Sequence, residues 1–130
     1  TEDDMERFQT DIDDNVITIE RVRTADNEPV VYCVDKVPAN LLPNEFISNQ
    51  NVSIFSALEQ TGSIRVAYAV TYIDPVGFHD EVSPILKCGP ETALLVLKQL
   101  HYDENDRVVL YSKNYFRADK FSFHVVRKRV

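Results

Sequence analysis

Hydrophobic and polar residues alternate over most of the chain, a pattern typical of strands that bury one face. Strands are predicted at residues 16–23, 30–37, 64–73, 93–102, 108–116 and 121–127. Short polar segments separate the first two of these strands and also the last three. Because consecutive strands joined by short turns pair with each other, the pattern predicts a mostly antiparallel sheet of about six strands.

Two segments have the spacing of helices instead. Ser53 precedes an apolar pattern at helical spacing over residues 54–58, which predicts a helix with Ser53 as its N-cap. Residues 77–89 favour a second short helix, in which either Ser83 caps a turn that starts at Pro84 or the helix breaks at this proline. The predicted fold class is therefore α+β, with a central sheet and short helices beside it.

Composition supports one ordinary domain. The chain has 130 residues, of which 44% are hydrophobic and 27% charged, and this is enough to form a core without a disulfide or a metal. Its apolar runs are too short to cross a bilayer, so no membrane span is predicted. The acids of residues 1–14 account for most of the net charge of −7, so this segment is interpreted as an acidic linker or short helix preceding a domain at residues 15–130.

Charge and cysteine content limit the partners and the compartment. The pI is near 4.9, and the only basic cluster is residues 127–129. The chain is therefore not expected to bind nucleic acid directly. Cys33 and Cys88 are far apart in sequence, and we expect no signal peptide. We therefore expect reduced cysteines and a cytoplasmic protein.

Two arginines continue an apolar stripe in the first predicted strand. Ile17, Ile19, Arg21 and Arg23 share one face, because side chains alternate between the faces of a strand. An arginine in such a position must reach water, pair with a protein carboxylate or bind an anionic ligand. These alternatives stay open at this point, as does the choice for Ser53 between a simple helix cap and an anion site at the helix start.

Searches for catalytic and metal-binding patterns find none. The chain has no nucleophile elbow, phosphate-binding loop, dinucleotide fingerprint or zinc-protease motif. His79, His101 and His124 lie on separate predicted elements, and with two distant cysteines they do not form a zinc site. We expect no catalytic residue, no metal and no cofactor, and we interpret these histidines as surface or packing residues.

Two longer motifs resemble a known family. Residues 20–30, ERVRTADNEPV, with Pro38 and Pro43 after them, resemble the R-x-R-x-A-D-G-E-P hairpin of the UTRA domain of HutC-type GntR transcriptional regulators. Residues 111–123, YSKNYFRADKFSF, resemble the closing pattern Y-x-x-x-Y-x-R-x-D-x-F-x-F of the same domain. The predicted elements between the two motifs also occur in the family's order, so the resemblance covers nearly the whole chain.

This resemblance implies a chorismate-lyase-like fold and a role in sensing. Members of the family are homodimers that bind a small effector and transmit its presence to an N-terminal winged helix, which is absent from this chain. We therefore expect an effector-binding domain of a bacterial repressor that contacts DNA only through an upstream domain. The expected effector is an anionic small molecule, either a phosphorylated sugar or an organic acid.

The resemblance also implies site residues. Arg21 and Arg23 match arginines that contact the anionic group of the effector, and Ser53 matches a serine of the same pocket. Leu110 and Phe116 stand where sugar-phosphate-responsive members tend to have Glu and Tyr, so a more apolar acid or a smaller phosphorylated compound is expected here.

Arg117 and Asp119 match signature residues of the family, which we interpret as a structural ion pair or a lock on the turn.

Two alternative functions remain. One is an enzyme of the chorismate-lyase type, which would share the fold and an arginine pocket but has no acid/base pair in this sequence to support it. The other is a dimerisation module with a degenerate pocket.

Overall fold

The computed structural model describes residues 16–41, 58 and 64–129. In this part of the chain five strands form one antiparallel sheet in the order β1-β2-β5-β4-β3. The strands are β1 (Val16–Ala25), β2 (Glu28–Pro38), β3 (Val66–Val76), β4 (Leu94–Asp103) and β5 (Val108–Arg117). A 3-10 turn at Ala39–Leu41 and a short helix α1 at Val82–Ile85 accompany them.

The prediction of a sixth strand at residues 121–127 is wrong, since residues 121–129 adopt no regular structure. The reason lies in the position of β5. Both of its edges are occupied, by β2 and by β4, so a segment that follows β5 through a tight turn finds no free edge beside it. The turn is closed by hydrogen bonds from the Lys120 and Phe121 amides to the Arg117 carbonyl.

The hairpin of β1 and β2 is confirmed, and its turn is tighter than expected. Ala25 pairs with Glu28, so the turn contains only Asp26 and Asn27. Both turn residues have positive φ, 52° and 65°, as a two-residue type I′ turn requires. Asp and Asn tolerate this conformation better than other residues with a Cβ, which explains why a sequence without glycine can turn here.

The third predicted strand continues beyond its expected end. It was expected to stop at residue 73, yet β3 runs through Asp74 and Pro75 to Val76. Because β3 is paired only with β4 among the described strands, it is an edge strand of the sheet, where proline is tolerated. In the described sheet, Pro75 therefore removes no hydrogen bond to a strand on the other side of β3.

Helix α1 begins differently from either prediction. Glu81, not Ser83, is its N-cap, and Pro84 lies within the first turn, where its missing N–H is not needed. The cap is supplied by a side chain from outside the helix, because Nδ1 of His79 accepts hydrogen bonds from the amides of Glu81 and Val82 at 3.2 and 3.0 Å. In return, the Ser83 hydroxyl accepts a hydrogen bond from the His79 amide.

The sheet has an apolar cluster on each face. The front face, defined as the face carrying Arg21, Cys33 and Asn114, has a buried cluster at one end made by Ile19, Val37, Leu58, Ile64, Val109 and Leu110. The back face, which carries Tyr115 and Val96, is covered by α1 through Val82 and Leu86. Leu58, which is helical and fully buried, is part of this front-face cluster.

Candidate functional site

The register of the sheet assembles the front face in rows that run across the strands. The Arg21 row comprises Arg21, Cys33, Asn114 and Leu97, and the Arg23 row comprises Arg23, Val31, Phe116 and Leu95. Directly paired residues point to the same side of a sheet, so both arginines lie on the front face together with Phe116. The strand pairing thus brings together three of the residues predicted from sequence.

Arg21 is paired directly with Cys33 across the hairpin, and Arg23 lies two residues further along β1 on the same face. Burial raises the pKa of the Cys33 thiol, while a hydrogen bond from Arg23 and the nearby charge of Arg21 counteract this increase. Arg23 is largely exposed and Arg21 is half-buried. The front face of β1 therefore carries two positive charges near Cys33, and Arg23 is open to solvent.

Phe116 belongs to an aromatic cluster beside Arg23. Its ring contacts Phe121 edge-on at a centroid distance of 5.2 Å and Phe123 at 4.9 Å. Phe121 and Phe123 come from the segment that was expected to be a strand, and they fold onto the front face instead of pairing at a sheet edge. This arrangement places an apolar wall on the same face as the arginines, with Val31 of β2 between Phe116 and Arg23.

Leu110 is not adjacent to the arginines. It is 2% exposed and belongs to the front-face cluster of Ile19, Val37 and Leu58. On β5 it is separated from Phe116 by six positions, about 20 Å along an extended strand. Leu110 therefore packs in the core, and any influence on a ligand would pass through this packing.

Arg117 and Asp119 form a bidentate ion pair. Arg117 Nε donates to Asp119 Oδ1 at 3.0 Å and Nη2 donates to Oδ2 at 2.7 Å. The hydrogen bonds from Arg117 lower the pKa of the Asp119 carboxyl. Arg117 Nη1 also donates to the carbonyl of Leu86 at 3.2 Å, so this arginine connects the end of β5 with the end of α1.

Ser53 lies outside the described residues. Its predicted approach to Arg21 and Arg23, at the start of a helix, therefore stays a prediction. The helical and buried Leu58, which follows it in the sequence, packs against Ile19 of the strand that carries both arginines.

Three polar residues of the front face were not proposed as site residues from the sequence. Asp35 and Ser112 are paired with each other, between Ile19 and Gln99, and Asn114 lies in the Arg21 row. A sequence signal existed for Ser112 and Asn114. They lie at every second position of β5 between Leu110 and Phe116, so all four side chains are expected on one face of the strand. Asp35 gave no such signal, since its neighbours on the front face are known only from the pairing of β2 with β5.

Metal sites and membrane helices were also sought in the structure. Across residues 16–41, 58 and 64–129, no group of three or more His, Cys, Asp or Glu side chains is arranged to hold a metal ion. Among these same residues, no helix is long and apolar enough to cross a membrane.

Known proteins resemble this chain in sequence and in fold. A family model described as the UTRA domain matches residues 1–122. The HTH-type transcriptional repressor NagR of Bacillus subtilis (strain 168) is 26% identical over 105 residues, which cover 81% of this chain and 43% of NagR. The chain thus spans less than half the length of this curated relative.

Solved structures share the fold at low sequence identity. A GntR-family transcriptional regulator from Enterococcus faecalis V583 superposes with a TM-score of 0.83 at 22% identity, covering 98% of this chain and 91% of that one. The effector domain of PhnF from Mycobacterium smegmatis gives 0.84 at 22% identity, with coverage of 96% and 77%. The effector binding domain of the B. subtilis trehalose repressor TreR gives 0.78 at 23% identity, with coverage of 100% and 90%.

Proposed function

Because the chain belongs to the UTRA family, the effector-binding domains of GntR-family transcriptional regulators, we propose that it binds an anionic metabolite and thereby controls DNA binding. The DNA-binding winged helix would lie upstream of this chain. The chain spans only 43% of NagR, an HTH-type repressor, which is consistent with a further domain in the whole regulator. A ligand can exert this control only if it binds the two arrangements of the regulator with different affinity.

The observation that carries the proposal is that Arg21 and Arg23 share the front face, with Arg21 paired directly with Cys33. Two guanidinium groups so placed suit one carboxylate or phosphate, because guanidinium donors match these anions in bidentate geometry. Hydrogen bonds to charged groups contribute about 1.5–3 kcal/mol each. Ser53, whose placement is not described, is part of the proposal as a further donor to the same anion.

The aromatic wall limits the class of effector. Phe116, with Phe121 and Phe123, presents apolar rings beside Arg23. This supports an organic acid or a small phosphorylated compound over a fully hydroxylated sugar phosphate at this side of the site. Leu110 contributes by packing in the apolar cluster at the other end of the same face. The hairpin motif of residues 20–30 supports assignment to the HutC-type subfamily.

An enzymatic role is not favoured, since the relatives found are regulators and effector domains of regulators.

A ligand-binding experiment tests the alternative that the domain is a dimerisation module with a degenerate pocket. Thermal unfolding should be measured with phosphorylated sugars, phosphonates and organic acids, since a ligand of the folded state raises Tm. At least one of these anions should raise Tm, and Arg23→Ala should weaken its affinity by about tenfold or more.

Arg65→Ala is the matched control for Arg23→Ala. Arg65 is an exposed arginine whose only described ion pair, with Glu104, is 3.9 Å long. Its loss should leave ligand binding unchanged. If no anion in the series raises Tm, or if Arg65→Ala weakens binding as much as Arg23→Ala, the proposed sensor site is wrong and the degenerate module is the better interpretation.

We also propose a homodimer that forms through the β3 edge. In the described sheet, β3 pairs only with β4, and its exposed side chains include Tyr72 and Ile73, each more than half exposed. An open edge of this kind is suited to pair with a second strand. Sedimentation should show a dimer for the natural chain and a monomer for Tyr72→Lys/Ile73→Lys, whereas a dimer in both would exclude this edge.

A cytoplasmic location is part of the proposal. It is supported by the absence of a disulfide in the described part of the chain, where Cys33 and Cys88 are both free thiols.

A further inference from the structure

We propose that the acidic residues 1–14 dock on the back face of the sheet, over three lysines at its centre. Docking would hold the segment that precedes β1 behind the sheet, on the side opposite Arg21 and Arg23. The inference does not depend on effector binding, because the docking surface includes neither arginine.

The docking surface is the part of the back face that lies beyond α1. Helix α1 packs over Tyr115 and Val96 at one end of this face. The next two rows of paired residues, called the lysine strip below, contain no buried residue. The lysine strip consists of Glu20, Val34, Lys113, Lys98 and Tyr72 in the first row, and of Thr18, Lys36, Tyr111, Leu100 and Val70 in the second.

Three lysines lie together at the centre of the lysine strip. Lys113 on β5 is paired directly with Lys98 on β4, and Lys36 on β2 lies diagonally from Lys113. Directly opposite residues of a sheet have Cβ atoms about 4.5–5.5 Å apart, and diagonal ones about 7–8 Å, so the like charges of these lysines repel one another. An acidic partner over this centre would relieve the repulsion.

The acids nearest to these lysines lie on the edge strands. Glu20, the one acid of the lysine strip, is on β1 and accepts a hydrogen bond from the Tyr32 hydroxyl. Asp74 on β3 approaches Lys98 at 3.7 Å, but both side chains are largely exposed, and such a pair contributes little. The central strands β2, β5 and β4 therefore carry an excess of positive charge on this face.

Residues 1–14 have the complementary charge and an apolar side. Seven acids and one arginine give this segment a net charge of −6. Met5, Phe8 and Ile12 are separated by three and four residues, so they share one side of any helix that the segment forms. Such a helix would place these apolar side chains on the aromatic and aliphatic residues of the lysine strip and its acids beside the lysines.

The segment joins the sheet at the matching end of the lysine strip. β1 begins at Val16, which is paired with Pro38, two residues beyond Lys36 on the same face. Lys98, the most distant of the three lysines, is separated from Val16 by three strand spacings, about 14 Å, and by four residues along the strand, about 13 Å. A helix of 14 residues is about 21 Å long, which spans this diagonal of about 20 Å. Because a tethered segment has a high effective concentration, it is favoured over a separate acidic partner.

The test measures how well ordered the segment is in the full chain. Heteronuclear ¹H–¹⁵N NOE values of residues 2–14 at low salt should approach those of the sheet. The triple variant Lys36→Glu/Lys98→Glu/Lys113→Glu should lower them to the values of a free chain. High salt should lower them in the natural chain, since it screens interactions between exposed charges.

Controls separate docking from a general effect of charge. Lys128→Glu makes the same change at an exposed lysine outside the lysine strip and should leave the NOE values unchanged. Asp3→Lys/Asp4→Lys/Glu6→Lys, added to the triple variant, restores opposite charges and should recover the high values. If the triple variant also loses the amide signals of the sheet, the salt series on the natural chain decides the question.

Three results would overturn the inference. The first is a low NOE for residues 2–14 in the natural chain at low salt, and the second is a high NOE that neither the lysine substitutions nor salt lowers. The third is a loss of order on dilution, which would show that the segment docks on a second copy of the chain. None of these results changes the proposed function, because the test contains no effector.

Discussion

Replacement of Arg117 should destabilise the domain far more than replacement of a surface arginine. Arg117 makes two hydrogen bonds to the Asp119 carboxylate and one to the Leu86 carbonyl. Its side chain is only 12% exposed, whereas that of Asp119 is 42% exposed. The arginine is therefore mostly removed from water, and its partner is not.

The magnitude follows from these exposures. Hydrogen bonds to charged groups contribute about 1.5–3 kcal/mol when buried, and an exposed ion pair about 0.2–1 kcal/mol. With one buried and one exposed partner, the pair should contribute about 1–2 kcal/mol, and the Leu86 carbonyl left without its donor about 1 kcal/mol more. Arg117→Ala should thus cost about 2–3 kcal/mol, which lowers Tm by about 8–12 °C, and Asp119→Asn should cost about 1 kcal/mol.

Urea unfolding at neutral and acidic pH is the assay. Because the pair lowers the pKa of folded Asp119, its contribution is present above the unfolded pKa near 4 and is lost as the pH falls through the folded pKa. The difference between the natural chain and Asp119→Asn should therefore shrink in acid. The reasoning is refuted if Arg117→Ala unfolds at the same urea concentration as the control Arg65→Ala, whose arginine is 81% exposed.

Two further predictions concern the turns. The Asp103 carboxylate, almost fully buried, accepts hydrogen bonds from the Asn105 amide and from the amide and Nε of Arg107. Burial raises its pKa, but these bonds lower it overall, so Asp103→Ala should cost about 2–3 kcal/mol above pH 4 and less in acid, measured by urea unfolding. In the β1–β2 turn, Asn27→Val places a β-branched residue at φ 65° and should lower stability by about 1–2 kcal/mol; an unchanged Tm would contradict the type I′ assignment.

Local chemistry explains why the first hairpin could be predicted. A polar turn with Asp26 and Asn27 lies between two β-branched runs, and these residues favour the conformation that the turn adopts. The prediction of a sixth strand was wrong because an alternating apolar pattern does not show whether the segment has a free strand to pair with. Whether an edge is free for Phe121 and its neighbours depends on β2, which pairs with β5 from a distant part of the chain.

The same limit applies to the site. The shared face of Arg21 and Arg23 follows from parity within one strand, and sequence alone sufficed for it. Asp35 and Ser112 become neighbours only through the pairing of β2 with β5, which no local pattern specifies. Leu110 shares strand parity with Phe116, but parity cannot show that it lies in the core at the other end of the face.

The central claim is that Arg21 and Arg23 together bind one anion. Its most direct test is to follow the arginine Nε–Hε signals by NMR while inorganic phosphate, and then the tightest-binding probe anion, is added. The signals of Arg21 and Arg23 should shift together and saturate at the same concentration, while the signal of Arg65 stays in place. Saturable binding that leaves both of those signals unmoved would contradict the account.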